Sequence, residues 1–290
     1  MDEHEILEYA MVCDHVTKHY KSFTLDNISF ALPKGCIMGF IGENGAGKTT
    51  TIKLMLDLIR ADSGKLYMLG CDSTQMDENV REHLGVVLDE SHFPGELTVQ
   101  NIRTVMKRFY KTWDDQRFAK FIKKYHVPTD RRIKEFSRGM RMKLTMGVAL
   151  CHDTKLLVLD EATSGMDPVV RDEMLDLLLD FIQDEEHSVF ISSHILSDLE
   201  KICDYIAFIH GGRLIFCDNK DILLERYGIW RGTREAMEQL DESAIAGVRR
   251  YAFGVEALVF KEKLPAGYET DSAGLEDIMV FFNKKEGEQE

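Results

Sequence analysis

The sequence predicts an α/β fold: a mainly parallel sheet with an antiparallel β subdomain, an inserted helical subdomain and a small α+β carboxyl-terminal extension. Two observations lead to this prediction. Short apolar runs alternate with amphipathic helical segments, which is typical of parallel strands joined by crossover helices. That alternation is interrupted by a helical stretch and ends near residue 217. We therefore expect a main domain over 1–217, with the helical subdomain at about 95–152, and an extension over 218–290.

The first elements surround a glycine-rich loop. Strand character spans 10–20 and 23–32, and a Pro-Lys-Gly turn over 33–35 leads into an apolar strand over 36–41. Apolar residues recur at helical spacing through 49–60, which predicts a helix directly after the loop. The order strand, loop and helix start is therefore expected at this point of the chain.

The middle of the chain is predicted to be helical. Short strands over 65–69 and 84–88 precede a loop over 89–94. From 98 to about 150 the apolar residues fall on helical faces. One face carries Val99, Ile102, Val105, Met106 and Phe109, and another carries Phe118, Phe121, Ile122 and Tyr125.

The alternation then resumes. The pattern predicts strands at 155–160 and 188–192, helices at 168–185 and 196–203, and a hairpin of 206–209 with 214–217 around Gly211-Gly212. The glycine-rich loop, Asp160 and His194 all follow predicted strands, where the binding crevice of a parallel sheet lies. In the extension we expect a helix at 220–227, one strand at 250–260 and a last helix after 272.

Composition narrows the possible partners. The 290-residue chain has a net charge of −14, which argues against a DNA or RNA partner. Six scattered cysteines form no Cys-x-x-Cys pair, so no zinc or redox motif is indicated and a reduced cytosolic protein is the simplest expectation. No apolar run approaches the roughly eighteen residues of a membrane span. Any membrane part is expected to come from another chain.

The glycine-rich loop carries the first chemical motif. Gly42-Glu43-Asn44-Gly45-Ala46-Gly47-Lys48-Thr49 fits the phosphate-binding pattern Gly-x-x-x-x-Gly-Lys-Ser/Thr. Its backbone N–H groups are expected to point at phosphate oxygens, with Lys48 as a cation for the β- and γ-phosphates. The Thr49 hydroxyl is expected to face Mg²⁺, and Thr50 opens the helix whose dipole favours phosphate. A turn that matches by accident is the alternative.

Two adjacent carboxylates end the strand predicted at 155–160. Asp160 can hold Mg²⁺ directly or through water, and Glu161 can polarise the water that attacks the γ-phosphate. The alternative is that both merely cap the following segment. With the upstream phosphate loop, we interpret them as part of one nucleotide site.

With two further motifs the chain resembles the ATP-binding subunits of ABC transporters, among them bacterial bacitracin- and multidrug-export-type subunits. Phe136-Ser137-Arg138-Gly139-Met140 occupies the place of the family's Leu-Ser-Gly-Gly-Gln signature, before a helix. His194 stands where the family has its switch histidine, Ser164-Gly165-Met166-Asp167 matches the D-loop, and Tyr20 matches the aromatic that stacks on adenine. The resemblance covers about 8–217.

The resemblance implies a P-loop ATPase with ATP and Mg²⁺ as cofactors. Glu161, His194 and Lys48 would be catalytic, and Thr49 and Asp160 would bind the metal. Ser137 and Gly139 would contact the ATP of a second subunit, because two ATP molecules are held in a head-to-tail dimer in this family. By their chemistry alone, Ser137 is as well explained as a helix cap and His194 as an ordinary surface or core histidine.

The chain departs from the family at two places. Asp89 replaces the glutamine of the Q-loop and is followed by Glu90; we expect Asp89 to contact the nucleotide and Mg²⁺ or its water, and a solvated acidic loop is the alternative. In the signature, Arg138 replaces a glycine and Met140 replaces glutamine. Arg138 then faces either a phosphate across the dimer or solvent.

The resemblance also implies partners: a second ATP-binding subunit, identical or related, and an integral membrane permease that holds the protein at the inner face of the cell membrane. A docking groove is expected from His92, Phe93, Pro94, Phe109, Tyr110 and Trp113. We expect Phe93 and Trp113 to be partly exposed, and Phe109 to belong to the core of the helical insert. Export of an antibiotic, a peptide or another amphipathic compound is favoured over import.

Two other classes of protein compete with this interpretation. Soluble members of the same superfamily that act on ribosomes or DNA usually carry two ATP sites or a long coiled coil, and this chain shows one site and no heptads. A P-loop kinase or GTPase would lack the Ser-Gly signature, and no Asn-Lys-x-Asp motif occurs here. A soluble regulatory or ribosome-associated ATPase is the principal alternative.

Overall fold

The amino-terminal third forms an antiparallel sheet beside the first central strand. The structure, a computed structural model, describes residues 3–88, 93–252, 254–265 and 267–287. Its first elements are α1 (Glu3–Ile6), β1 (Tyr9–His19), β2 (Thr24–Pro33), β3 (Ile37–Ile41), α2 (Lys48–Met55), β4 (Ser63–Met68), β5 (Cys71–Asp72), α3 (Glu78–Glu82) and β6 (Leu84–Val87). Helix α2 is shorter than the sequence predicts, because Asp57 adopts a left-handed conformation (φ 56°) that a helix does not continue through.

The described middle of the chain contains the predicted helices and the remaining central strands. These are α4 (Val99–Phe109), α5 (Asp115–Lys124), α6 (Arg138–Leu150), β7 (Leu156–Asp160), α7 (Pro168–Phe181), β8 (Ser188–Ser192), α8 (Leu196–Ile202), β9 (Tyr205–His210) and β10 (Arg213–Asn219). The predicted domain boundary at 217 falls inside β10, so the extension leaves the main domain directly from a sheet strand.

The extension is a small α+β unit: α9 (Lys220–Arg226), β11 (Tyr227–Gly232), α10 (Arg234–Met237), β12 (Ile245–Tyr251), β13 (Gly254–Phe260), β14 (Asp271–Ser272) and α11 (Leu275–Gly287). The prediction of a single strand over 250–260 is wrong. The chain reverses there, and Tyr251 pairs with Gly254 in an antiparallel hairpin of β12 and β13. The sequence at this turn carries no Asn-Gly or Pro signal, so the apolar pattern runs through it unbroken.

Three sheets assemble from the described strands. The central sheet has the order β10-β9-β3-β8-β7-β6, with β9 to β6 parallel and β10 antiparallel at the edge. An antiparallel sheet of order β2-β1-β4-β5 forms the predicted β subdomain, and the extension contributes β12-β13-β11-β14. The predicted fold class is confirmed.

Aromatic stacking joins the first two sheets. Phe30 on β2, Phe40 on β3 and Phe190 on β8 form a cluster in which each ring contacts the other two, with centroids 5.3 to 6.1 Å apart. All three side chains are buried. The antiparallel sheet is therefore packed onto the central sheet close to the strand that leads into the phosphate loop.

The helical subdomain has its own apolar interior, but one predicted member lies outside it. Phe118 and Phe121 are buried against α6, whereas Phe109 is 72% exposed. The prediction that Phe109 belongs to the insert's core is wrong. Helix α4 ends at Phe109, and the next residue, Tyr110, turns inward and stacks on His152 with 3.9 Å between ring centroids.

The extension shares the core of the main domain. Leu199 and Ile202 of α8 fall in the same buried apolar cluster as Leu275, Ile278 and Phe281 of α11. Within the described ranges, no helix combines the length and apolar character needed to cross a bilayer.

Candidate functional site

The loop between β3 and α2 has the shape that phosphate binding requires. Gly47 stands at the cap position of α2 with φ 117°, a conformation that L side chains rarely adopt. A Cβ on Gly42 would lie 2.5 Å from the backbone oxygen of Ile209. Glycine is thus required at both ends of the loop, which leads into the amino terminus of α2, where free N–H groups and the helix dipole favour an anion.

Lys48 is buried at the centre of this loop. Its side chain is 6% exposed, and Nζ donates to the backbone oxygens of Gly42 at 2.7 Å and Glu43 at 3.2 Å. Nζ also lies 3.5 Å from Oε1 of Glu161. The ammonium group therefore sits between the phosphate loop and the carboxylate that follows β7.

Asp160 and Thr49 meet across the site. Thr49 Oγ1 donates to Oδ2 of Asp160 at 3.0 Å, and Ser192 Oγ donates to Oδ1 at 2.5 Å. Asp160 is only 4% exposed. A hydroxyl and a carboxylate are oxygen ligands that suit Mg²⁺, which usually takes one or two protein ligands beside phosphates and water. No group of three or more His, Cys, Asp or Glu suited to a metal occurs in the described part of the chain.

Glu161 is aimed into the cleft by an unusual backbone conformation. Its φ is 51°, the left-handed region, and its N–H donates to the backbone oxygen of Ser192 at 3.1 Å. The Glu161 side chain is 15% exposed, and Oε2 lies 2.6 Å from Nδ1 of His194, whose ring is 53% exposed. One carboxylate thus contacts a lysine on one oxygen and a histidine on the other.

These side chains surround one cleft of about 330 Å³. It is lined by Phe23, Glu43, Asn44, Gly45, Gly47, Lys48, Thr49, Thr50 and Glu161. Most of the residues predicted from the phosphate loop therefore line this cleft together with Glu161. Asp160 and His194 do not line it, but they contact two residues that do, Thr49 and Glu161. The volume is at the lower end of the range for small-molecule sites.

Sequence reasoning missed Phe23, which forms one wall of this cleft. A Cβ on Gly47 would lie 3.0 Å from Cζ of Phe23, so the ring covers the phosphate loop. Tyr20, the aromatic predicted to stack on adenine, is 46% exposed and does not line the cleft. The Tyr20 N–H donates to the Phe23 carbonyl oxygen at 2.8 Å, so one turn carries both rings. The sequence signal that could have identified Phe23 is its position as an aromatic residue among the polar residues of this turn.

The signature residues lie elsewhere. Ser137 caps α6, where its Oγ accepts from Met140 N–H at 3.2 Å, and it is exposed together with Arg138. Neither Ser137 nor Gly139 lines the cleft of its own chain. The Arg138 guanidinium lies over Gly165, whose Cβ would come within 2.9 Å of it. Asp89, the predicted metal and nucleotide contact, lies outside the described residues, as do Glu90 and His92.

Comparisons with known proteins identify the family to which the chain is similar. The family model for ABC transporters matches residues 25–164. The uncharacterized ABC transporter ATP-binding protein YhcH of Bacillus subtilis (strain 168) is 32% identical over 265 residues, which cover 88% of this chain and 85% of YhcH. The bacitracin transport ATP-binding protein BcrA of Bacillus licheniformis is 33% identical over 204 residues, covering 69% of this chain and 66% of BcrA.

A solved structure of an ATP-binding subunit of an ABC transporter has the same fold. It superposes with a TM-score of 0.67 at 22% sequence identity, and the match covers 74% of this chain and 91% of that one.

Proposed function

Because the chain belongs to the ATP-binding subunits of ABC transporters, we propose that it hydrolyses ATP with Mg²⁺ to drive export of an antibiotic, a peptide or another amphipathic compound. One observation carries the catalytic part of this proposal. Glu161 Oε1 lies 3.5 Å from Lys48 Nζ and Oε2 lies 2.6 Å from His194 Nδ1, at the edge of the phosphate-loop cleft. The lysine expected to bind phosphate, the carboxylate proposed as the base and a histidine are therefore adjacent at the edge of one cleft.

ATP would be held mainly by the loop over 42–50. Its N–H groups and Lys48 match the negative charge of phosphates, and Tyr20 and Phe23 offer ring faces beside them. Thr49 and Asp160 would hold Mg²⁺, which would supply positive charge to offset the negative charge of the phosphates. We propose Asp89 as a further oxygen contact of this metal or its water.

Glu161 would act as the general base and His194 as its orienting partner. The short contact between the two side chains positions the carboxylate, and the same histidine is exposed enough to donate to a γ-phosphate. Lys48 would stabilise the charge that builds up on the transferred group.

The signature residues would serve a second subunit. Ser137 and Gly139 stand at the exposed start of α6, a 13-residue helix whose N–H groups and dipole favour an anion, yet they do not line the cleft of their own chain. This separation supports a dimer in which each α6 completes the site of the other subunit. The second subunit is either another copy or a related chain.

A membrane permease would dock on the helical subdomain. Phe93 and Trp113 are partly buried against the core, as expected, and Val105 and Phe109 on α4 are 50% and 72% exposed. We propose that these side chains, with Pro94 and the accessible edge of Tyr110, form an apolar surface that a helix of another protein could cover. The permease would hold the subunit at the cytoplasmic face of the membrane.

The name of BcrA supports the exporter part of the proposal, since that relative is a bacitracin transport protein. YhcH matches over most of its length but is uncharacterized, so it supports the family and not the cargo. A regulatory or ribosome-associated ATPase remains the second candidate.

Glu161→Gln tests the base. We expect retained ATP binding and turnover lowered by about 10²- to 10⁴-fold, because the amide cannot take the proton. Steady-state phosphate release and a nucleotide-binding titration measure the two effects, and the exposed Glu186→Gln serves as control. Equal turnover in Glu161→Gln and wild type would refute the role.

The same variant tests the transporter proposal. Tagged Glu161→Gln is purified from its native host in mild detergent with Mg-ATP, and retained proteins are identified by mass. We expect a multi-span membrane protein. Capture of ribosomal proteins with no membrane protein would favour the alternative function.

A further inference from the structure

Helices α7 and α8 are joined by two ion pairs of very different exposure. Each helix follows a loop of the proposed site: α7 begins after Asp167, its N-cap, and α8 begins two residues after His194. Arg171 Nε lies 3.5 Å from Asp198 Oδ1, and Lys201 Nζ lies 3.5 Å from Asp172 Oδ1.

The first pair is enclosed. The Asp198 side chain is 3% exposed and that of Arg171 is 31% exposed. Within the described residues, Oδ2 of Asp198 has no hydrogen-bond partner. By contrast, the side chains of Lys201 and Asp172 are 63% and 66% exposed. Loss of one partner from a buried ion pair is costly because it leaves an uncompensated charge in the interior, whereas an exposed pair contributes little.

Each member of the buried pair stands one helical turn beyond its loop. Arg171 N–H donates to the backbone oxygen of Asp167 at 3.0 Å, and Asp198 N–H donates to that of Ile195 at 3.2 Å. Ile195 directly follows His194. One backbone hydrogen bond therefore links Arg171 to the loop that ends at Asp167, and another links Asp198 to the loop that contains His194.

From this arrangement we infer that Arg171 and Asp198 are positioning residues, which fix His194 relative to the segment 161–167. The inference rests on the proposed function, since it assigns these two residues a part in ATP turnover. Glu161 opens that segment and contacts His194 directly, while Asp167 closes it. The buried pair thus closes a ring: Glu161, the segment to Asp167, α7, α8 and back to His194.

This ring predicts an effect on the chemical step and not on nucleotide binding. Neither Arg171 nor Asp198 lines the cleft, so the phosphate loop and Lys48 are expected to be unchanged when the pair is lost. A small displacement of His194 relative to Glu161 would instead misorient the base, and displacements of that kind are costly for rate.

The test compares Asp198→Asn, Arg171→Met, the double variant and Asp172→Asn. Asparagine keeps the shape of Asp198 without its charge, and Asp172→Asn removes the exposed pair between the same helices. We expect kcat for ATP to fall about tenfold in each single variant of the buried pair and by no more in the double variant, because the two act as a unit. KM is expected to change less than about twofold, and Asp172→Asn to behave as wild type.

A merely structural pair would give a different result. Thermal unfolding of each variant shows whether it is folded, and Arg171→Lys, which keeps the charge, is expected to recover most of kcat. The inference is overturned if Asp198→Asn has the kcat of Asp172→Asn, or if the loss in the double variant is the product of the single losses. Absence of ATP turnover in the wild type would instead contradict the proposed function.

Discussion

Glu161 reaches the cleft through a backbone conformation that few side chains adopt. A non-glycine residue at φ 51° carries a local strain of about 1 kcal/mol or more, which the surrounding contacts must hold. The bond from its N–H to Ser192 and the side-chain contacts with Lys48 and His194 supply that restraint. The geometry explains how a residue adjacent to the buried Asp160 still turns its carboxylate towards the cleft.

At the same scale, Tyr20→Ala tests the adenine contact. We expect the KM for ATP to rise about tenfold with little change in kcat, because stacking on a base is worth about 1 to 3 kcal/mol and does not touch the reacting groups. Steady-state ATPase assays measure both constants. Tyr251→Ala is the control, since that ring is similarly exposed (49% against 46%) but lies in the extension. An unchanged KM would transfer the role to Phe23.

Sequence motifs predict the residues that meet at the cleft better than they predict their surroundings. The phosphate loop, Asp160 and Glu161 are recognisable because phosphate and Mg²⁺ chemistry restricts residue type and spacing. The positions of Phe23 and Phe109 depend instead on which way a turn or a helix end faces. Both are aromatic residues with polar neighbours in the sequence, and only the tertiary contacts decide that Phe23 lines the cleft and Phe109 is exposed.

Among the elements, the start of α6 allows its structural and functional roles to be separated. Ser137→Asp preserves the cap, since aspartate and serine cap helices about equally well, so we expect an unchanged melting temperature. The added carboxylate would repel the phosphates of the partner's ATP, and we expect turnover to fall by about 100-fold. Thermal unfolding and ATPase rates measure these effects. Ser137→Thr, which keeps the hydroxyl, is the control. Wild-type turnover in Ser137→Asp would show that Ser137 acts only as a helix cap.

The buried His152, which stacks on Tyr110, is expected to make the stability of the helical subdomain depend on pH. Burial lowers the pKa of His152 below its ordinary value, although its bond to the backbone oxygen of Glu82 opposes the shift. The folded state therefore binds fewer protons than the unfolded state as the pH falls through about 6.5. We expect the free energy of unfolding to decrease between about pH 7 and about pH 5.

Urea unfolding of wild type and His152→Phe over this pH range measures the effect. Phenylalanine keeps a ring against Tyr110 but cannot titrate, so its stability should depend less steeply on pH, even though the variant loses the bond to Glu82. Equal slopes in the two proteins would show that His152 does not contribute.

The extension shows where periodicity fails at the level of elements. Its last helix is predicted because Leu275, Ile278 and Phe282 recur at helical spacing, and α11 begins at Leu275. The hairpin of β12 and β13 is not predicted by the sequence. Its turn has no glycine or proline at the centre, so the apolar pattern of 250–260 continues through it. Strand β11 is missed for the opposite reason, since the glycines within it, Gly228 and Gly232, lower its strand propensity.

For the molecule as a whole, the extension is part of the core and not an appendage. Leu275, Ile278 and Phe281 are each 1% exposed or less and pack with Leu199 and Ile202 of α8. The burial of three such side chains stabilises a protein by about 5 kcal/mol or more, a large share of ordinary domain stability. Composition marks a change of character near 217, but it does not reveal this packing.

Deletion of residues 220–290 is therefore expected to leave the main domain largely insoluble, because the apolar face of α8 becomes exposed. Deletion of only 284–290, a mostly charged tail, is the control and should not change the midpoint of urea unfolding. Solubility on expression and urea titration measure the outcome. A soluble main domain with wild-type stability would contradict the shared core.

The shared core also bears on how the protein is made. A ribosome releases the chain from its amino terminus, yet strand β3 pairs with β8 and β9, and the cluster that contains Ile37 is completed only by Phe281. Contacts so distant in the chain form slowly. The phosphate loop therefore emerges long before its supporting strands and α11, and we expect the nascent subunit to need protection from aggregation until α11 has been synthesised.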